Sequence, residues 1–245
     1  MRKNAYSKEY YMSVLEGAKK GMGWKMSKKI VLKKFGSFDN LKCIELGAGK
    51  GTTSLLFALE GAEVSVLDYS QKGLNMAKKF FNIYNIKANF ILMDALNMDD
   101  SLFDKFDVSL SGGTVEHFDK DNILKFISNH FNVLKTGGMA FIGFPNKLNL
   151  PYRLWKFLSQ SFGRWKFGEE NPQSFWGMRK IGRQLGVRFN FFGGFLFHTK
   201  FHFIDRITRM LTKKPVKLKI KEFWTPLDKY FASGLVAYGT NQSSE

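Results

Sequence analysis

The chain of 245 residues has one cysteine, Cys43, and no uncharged apolar run near the roughly 18 residues that a membrane-spanning helix needs. Its longest uncharged apolar stretches, near positions 136–146 and 189–199, stop at about 11 residues. One thiol cannot close an internal disulfide, and a cysteine-ligated structural zinc goes with it. The first residues, MRKNAYSKEYY, lack the apolar stretch of a signal peptide. No low-complexity tract or internal repeat is present. These deficits set aside a disulfide scaffold, a zinc ribbon and a transmembrane protein. They predict a cytoplasmic enzyme or binding protein.

Acidic residues are also scarce, with 21 Asp and Glu against 38 Lys and Arg, for a formal charge of +17. The excess is segregated. Residues 1–40 carry +7, residues 41–146 carry −2, residues 147–222 carry +13 and the remainder −1. A basic excess confined to two flanks is suited to an anionic partner, such as nucleic acid or an acidic membrane surface. What is plentiful is apolar and aromatic: 44% hydrophobic and 16% aromatic residues suffice for a full-sized core.

Mixed apolar and lysine spacing predicts helices over 6–20 and 24–35, broken by the Gly21–Gly23 turn. From Lys42 the pattern becomes short apolar runs separated by helical stretches. KCIEL, EVSVLD, ANFILMD, FDVSLS and GMAFIGF read as strands buried on both faces. Helices are predicted at 52–60, 71–84 and 120–134, then at 174–185 and 201–211. Further strands are predicted at 187–195 and 235–240. The alternation predicts an α/β fold: a seven-stranded, mostly parallel, Rossmann-like sheet. An N-terminal helical cap (1–40) precedes the main domain (41–245). A basic aromatic insert, 147–177, follows the fifth strand.

Right-handed crossovers place the C-terminal ends of the parallel strands on one rim, where ligands bind. Directly after the first strand comes Glu45-Leu46-Gly47-Ala48-Gly49-Lys50-Gly51. Its glycines permit a tight turn and a close backbone approach to a ligand. The third falls at 51, so the dinucleotide spacing G-x-G-x-x-G is not met. Glu45 stands two residues before the first glycine, where a carboxylate faces an amine more naturally than a pyrophosphate. Asp68 ends the second strand, in position to accept from ribose hydroxyls. Asp94 ends the third, within reach of an adenine amino group.

ELGAGKG, LDYS, MDAL, FDVSLSGGTVEHF and LKTGGMAFIGFPN resemble, in order and spacing, the successive motifs of class I S-adenosylmethionine-dependent methyltransferases. The resemblance covers about residues 40–146 well. It implies S-adenosyl-L-methionine as cofactor, with Glu45, Gly47, Gly49 and Gly51 around its methionine part. Asp68 would meet the ribose, and Asp94 and Ala95 the adenine. Ser111, just past the fourth strand, would lie beside the transferring methyl. The Glu-His pair and the Pro-Asn after the fifth strand resemble the small-molecule and lipid-linked branch, which includes quinone-biosynthesis enzymes. An amine-directed Asn/Asp-Pro-Pro-Tyr run is missing; Ser111-Gly112-Gly113-Thr114 stands in its place. Cys43 lies inside the first strand, which makes it a packed core residue rather than a nucleophile.

Glu116 and His117 are the candidates for reaction chemistry, since a histidine titrates where a hydroxyl proton must be taken up. The alternative for His117 is a structural role at the following helix. Some quinone-type relatives add a Glu three residues earlier to hold a divalent metal. Gly113 occupies that position here, so no metal site is expected. His130, His198 and His202 share no spacing, and His130 reads as an ordinary helix residue. In the insert, Tyr152, Trp155, Phe157, Phe162, Trp165, Phe167, Phe175 and Trp176 interleave with Lys147, Arg153, Lys156, Arg164 and Lys166. This composition suits a lid that meets an anionic membrane, a lipid-linked acceptor or stacked bases. A mini-core with solvated cations is the alternative. Methylation of a small or lipid-linked acceptor is the leading expectation. RNA methylation and a non-catalytic partner protein remain open beside it.

Overall fold

The fold is described from a computed structural model. It covers residues 7–163, 165, 168–193, 227–228 and 232–242. The expected helix at 201–211, together with Arg164, Lys166, Phe167, His198 and His202, lies outside the described residues.

Two helices open the chain, α1 (Lys8–Lys20) and α2 (Met22–Phe35). The Ser7 hydroxyl caps α1 by accepting from the Tyr10 N–H, and Lys19 and Lys20 sit at its negative C-terminal end. Gly36 ends α2 at a φ of 79°, a left-handed conformation that glycine adopts without a Cβ penalty. Buried Tyr11 and Leu15 on α1, four apart, share one helix face. Tyr11 packs on Phe80 with ring centroids 4.8 Å apart and the rings tilted, while Trp24 meets Phe38 and Phe57. The cap therefore shares a continuous core with the sheet behind it.

The strands are β1 (Lys42–Leu46), β2 (Glu63–Asp68), β3 (Asn89–Leu92), β4 (Phe106–Gly112), β5 (Leu134–Pro145), β6 (Asn190–Gly193) and β7 (Gly234–Thr240). They form one seven-stranded sheet in the order β3-β2-β1-β4-β5-β7-β6. The first five are mutually parallel, and β7 runs antiparallel between β5 and β6. This is the expected α/β architecture. Helices α3 (Thr52–Leu59) and α4 (Gln71–Ile83) cross between the first three strands. With α1 and α2 they cover the face bearing Cys43, Val64, Val66, Val108, Leu110 and Phe141. Helices α5 (Lys120–Asn132) and α7 (Phe175–Gln184) cover the opposite face, on which Ile44, Leu46, Leu67, Ala140 and Ile142 lie. Alternate residues of each strand thus feed two separate cores, the pattern of a sheet buried on both sides. Cys43 is packed in the first of them, and burial holds its thiol well above the usual range.

Three boundaries differ from the sequence reading. Strand β5 starts at Leu134, and its pairing with β4 is interrupted between Phe106 and Val108. Gly137, at a φ of 81°, marks the irregularity. Ser111 lies inside β4, not past it. The insert contains a helix, α6 (Leu150–Ser161), whose first turn is capped by the Asn149 side chain. Among the described residues no helix is long and apolar enough to cross a membrane.

One buried group departs from its expected ordinary role. His130 is fully buried on α5, with Nδ1 3.0 Å from the Ser109 hydroxyl and Nε2 3.0 Å from that of Ser111. A neutral imidazole has one donor and one acceptor nitrogen, and each hydroxyl fills either role. Burial pushes the His130 pKa down to about 3. The folded state therefore binds fewer protons than the unfolded state between about pH 6.5 and 3. Stability from this group is complete above pH 6.5 and lost as pH falls, by at most about 1.4 kcal/mol per pH unit. Chemical denaturation between pH 7 and 5 is expected to show that loss. His130→Gln, which does not titrate, should be less stable at pH 7 but flatter across the window; an unchanged slope would refute the assignment.

Candidate functional site

Strand β1 pairs with β2 on one side and β4 on the other, and α3 leads only to β2. The crevice at the C-terminal tips of β1 and β4 is therefore a topological switch point. The loop 47–51 turns through three left-handed glycines, with φ of 68°, 53° and 66° at Gly47, Gly49 and Gly51. A Cβ on Gly47 would fall 2.4 Å from the Thr114 methyl, so glycine is required for space as well as for φ. Thr114 Oγ1 donates to the Gly47 carbonyl at 3.1 Å, tying the loop to the residues after β4.

Asp68, buried at the end of β2, holds the loop from the other side. Its Oδ2 accepts from the Gly49 N–H at 2.6 Å and its Oδ1 from the Ser70 N–H at 2.8 Å. Each oxygen keeps a second lone pair. Glu45, buried in β1, accepts from the Ser54 N–H at 2.9 Å and its hydroxyl at 2.5 Å. Burial raises its pKa, and the Ser54 bonds offset part of that rise. The carboxylate thus faces the first turn of α3. Asp94 lies exposed just past β3, with its oxygens on the Leu96 N–H and the Asn97 amide, both at 2.9 Å. Ala95 is buried beside it, and its carbonyl accepts from Asn129. Of the three acids, Asp68 ends its strand, Glu45 is the last but one of β1, and Asp94 lies two residues past β3. Ser111 is instead turned toward α5, where His130 takes its hydroxyl.

After β4 the chain makes a short 3-10 turn, Val115–His117. Glu116 is 4% exposed, and its Oε2 has no hydrogen-bond partner among the described residues. Burial pushes its pKa up to about 7; the His117 charge lowers it and that of Glu170 raises it. His117 is exposed, with Nδ1 3.0 Å from the Glu169 carbonyl. The segment 168–171 is fastened over this turn. The Asn171 N–H donates to the Glu116 carbonyl at 2.6 Å, and the Asn171 amide to that of Phe118. Glu170 is fixed by the Tyr152 hydroxyl and by Lys156, whose Nζ lies 3.7 Å from its carboxylate and 2.9 Å from its carbonyl. One donor atom each from Glu116, His117 and Glu170 lies within 4.8 Å of the others. The sequence reading expected no metal because Gly113 has no ligand to offer. It had no means of pairing Glu170 with residues more than fifty positions earlier.

The insert's aromatics divide. Trp155 packs at 5.0 Å on Trp165, over which Lys156 lies, and Phe175 joins the core. Phe157, Phe162 and Trp176 are more than half exposed. Exposed Leu150, Leu154 and Phe157 recur on one face of α6 at the spacing of a helical stripe. Between α6 and the start of α7 lies a groove of about 520 Å³ lined by Lys147, Arg153 and Lys156. A more apolar cavity of about 310 Å³ lies between the cap and the strand tips, bounded by Trp24, Leu56, Leu110, Phe141 and Val236.

Residues 43–138 match the model of a methyltransferase domain. Over 120 residues the chain is 30% identical to a ubiquinone biosynthesis O-methyltransferase of Bartonella tribocorum, covering 49% of this chain and 46% of that protein. The chain spans about half the length of the curated relatives it matches. Among solved structures, it is similar to a SAM-dependent methyltransferase from Archaeoglobus fulgidus, with a TM-score of 0.57 and 16% identity over 89% of this chain and 94% of that one. It is also similar to magnesium protoporphyrin IX methyltransferase from Synechocystis with bound SAH, with a TM-score of 0.55 and 14% identity over 96% and 83%.

The raised Glu116 pKa has a sign opposite to that of His130. From about pH 4.5 to 7 the folded state binds more protons than the unfolded state, so this contribution is complete below pH 4.5 and lost as pH rises. Glu116→Gln keeps the shape without the charge. Its stability, from urea titrations, is expected to gain on the parent as pH rises from 5 to 8. Parallel curves would mean that Glu116 ionises normally.

Proposed function

We propose that this chain, which carries a class I methyltransferase domain, transfers the methyl group of S-adenosylmethionine to a hydroxyl of a small or lipid-linked acceptor. The observation that carries this reading is the site at the switch point. Three left-handed glycines are clasped between Asp68 and Thr114, within the segment that the methyltransferase-domain model matches. In this reading Gly47, Gly49 and Gly51 let the backbone approach the methionine part of the cofactor, and Glu45 supplies negative charge beneath it. Asp68 accepts from the ribose hydroxyls with its remaining lone pairs. Asp94 and Ala95 border the adenine, and Ser111 supports the strand end beside the transferring methyl.

The sulfonium is already activated, so the transfer asks mainly for alignment and a dry cleft. The acceptor oxygen forms a bond to the methyl carbon as the carbon–sulfur bond breaks, and the pair of electrons stays on sulfur as a neutral thioether. The proton of the hydroxyl goes to the Glu116–His117 pair, which stands after β4 at the acceptor end. Relatives named as ubiquinone biosynthesis O-methyltransferases support a hydroxyl acceptor. The exposed apolar stripe of α6, flanked by Lys147 and Arg153, supports contact with an anionic membrane. Unpaired nucleic acid would not call for exposed leucines, which ranks RNA second.

Calorimetric titration with S-adenosylmethionine and its demethylated product tests the cofactor. Asp68→Ala removes two charge-assisted acceptors worth about 1.5–3 kcal/mol each, so affinity should fall at least tenfold in the folded variant. No binding to the parent at millimolar concentration would refute the reading, and unchanged affinity in the variant the ribose assignment. For the acceptor class, the protein should bind vesicles containing acidic lipid in a salt-sensitive manner and ignore neutral ones. Leu154→Ser with Phe157→Ser should abolish this while leaving cofactor affinity intact. Tight salt-dependent RNA binding without vesicle binding would transfer the case to RNA.

A further inference from the structure

We propose that the groove between α6 and the start of α7 binds a phosphate group, and that the acceptor is a small molecule carrying a phosphomonoester or diphosphate. The acceptor class rests on the methyl-transfer reading above, whereas the phosphate site rests on the groove alone.

Three observations carry it. First, the charge of the groove is one-sided. Its lining includes Lys147, Arg153 and Lys156 and no acidic residue. Lys156 is taken by Glu170, whose carbonyl accepts from its Nζ at 2.9 Å and whose carboxylate lies 3.7 Å away. The side chains of Lys147 and Arg153 have no partner among the described residues. Two uncompensated positive charges therefore line one cleft, and a phosphomonoester at pH 7 carries a charge of about −1.5 to −2. A guanidinium engages two phosphate oxygens with its fork, and an ammonium adds a point charge.

Second, the walls are fixed to each other without any ligand. The Lys147 N–H donates to the Gln173 carbonyl at 2.9 Å, and Asn146 and Gln173 form a parallel bridge. The α6 wall is held by its Asn149 cap and by the Tyr152 hydroxyl, which donates to Glu170. On the other wall Ser174 caps α7 by accepting from the Gly177 N–H at 3.1 Å, and the first turn of that helix has no acid. Its positive dipole end adds to the field of the cations.

Third, the size and place of the groove suit a larger molecule than phosphate alone. Its volume of about 520 Å³ lies within the roughly 300–1,000 Å³ of pockets that enclose whole small ligands. Phe157 supplies an apolar wall for the remainder of such a ligand. Asn171 also lines the groove, and its N–H donates to the Glu116 carbonyl at 2.6 Å. The groove thus adjoins the turn at which the proposed function places the acceptor hydroxyl. An anchored phosphate would select which hydroxyl reaches Glu116 and His117. Leu150 and Leu154 of the apolar stripe are not part of the lining, so the groove and the membrane-facing stripe can be tested apart.

The test uses the full chain without S-adenosylmethionine, at physiological ionic strength, where attraction to a merely basic surface is screened beyond about 8 Å. Phenyl phosphate, inorganic phosphate and dimethyl phosphate are titrated calorimetrically. One phenyl phosphate site is expected, with inorganic phosphate competing for it and the singly charged diester binding at least tenfold more weakly. Arg153→Gln and Lys147→Gln should each weaken phenyl phosphate binding at least tenfold. Lys33→Gln on α2 and Leu154→Ser on the stripe should leave it unchanged, and circular dichroism checks that each variant folds. No phenyl phosphate binding at millimolar concentration would overturn the proposal, as would binding that survives both groove variants. Vesicles of equal parts phosphatidylglycerol and phosphatidylcholine, with and without saturating phenyl phosphate, separate a lipid headgroup from a small molecule. Vesicle binding that is absent or undisturbed by phenyl phosphate supports the small acceptor. Displacement by phenyl phosphate would assign the groove to a headgroup and overturn the acceptor class. Cofactor affinity is read in a separate titration, so failure of the phosphate site and failure of the methyltransferase reading are distinguishable.

Discussion

The Asp68 carboxylate is the constraint on which the rest of the site depends. One oxygen holds the Gly49 amide of the loop after β1, and the other holds Ser70, which in turn caps α4. A single buried side chain thus joins the ends of two parallel strands and the start of a helix. Without it, a loop of three left-handed glycines would have a large conformational entropy to lose on ordering. Thr114 fastens the same loop from β4, and its methyl occupies the space that a Cβ on residue 47 would need. The cradle is preorganised because charge on one side, at Gly49, and shape on the other, at Gly47, act two residues apart.

Two buried titratable groups packed beside the sheet, His130 on α5 and Glu116 in the turn after β4, pull the pH response in opposite directions. His130 sits among serine hydroxyls in the middle of a core face, so its protonation is resisted. Glu116 is buried at the strand tips, and its Oε2 has no partner among the described residues, so its ionisation is resisted. Both effects come from burial, which disfavours whichever form is charged. The difference is in how each is compensated. His130 has a partner on both nitrogens and stiffens the contact between α5 and β4, a structural role. Glu116 Oε2 has no hydrogen-bond partner among the described residues.

Local pattern carried the fold a long way. The five parallel strands, their crossover helices and the glycine loop were legible because each is a contiguous run whose period or punctuation has a direct geometric meaning. Glu45, Asp68 and Asp94 were legible as strand-end acids for the same reason. What the sequence could not reveal depends on contacts between distant segments. Ser109 and Ser111 share a strand face by simple alternation, but nothing local says that His130 of the next helix falls between their hydroxyls. Gly113 denies the Glu-His pair a neighbouring ligand, and only the fold of the insert brings Glu170 to it. The insert's aromatics look uniform in the sequence. Their division into the Trp155–Trp165 pair and exposed Phe157 and Trp176 is decided by where α6 and α7 pack.

The segregated charge takes on meaning at this point. The chain is strongly basic overall, yet Glu45, Asp68, Asp94, Glu116 and Glu170 gather along the strand tips and the insert above them. A cationic sulfonium brought to a uniformly basic protein would be repelled; here it would meet a band of carboxylates in which desolvation strengthens the attraction. In the proposed reading, methyl transfer would remove the charge from sulfur, and the same acids would hold the product less strongly than the donor. In the proposed reading an anionic acceptor surface would instead meet Lys147 and Arg153, which lie beside the apolar stripe of α6. The segment bearing Glu170 touches both sides, through the turn after β4 and through Lys156 of α6.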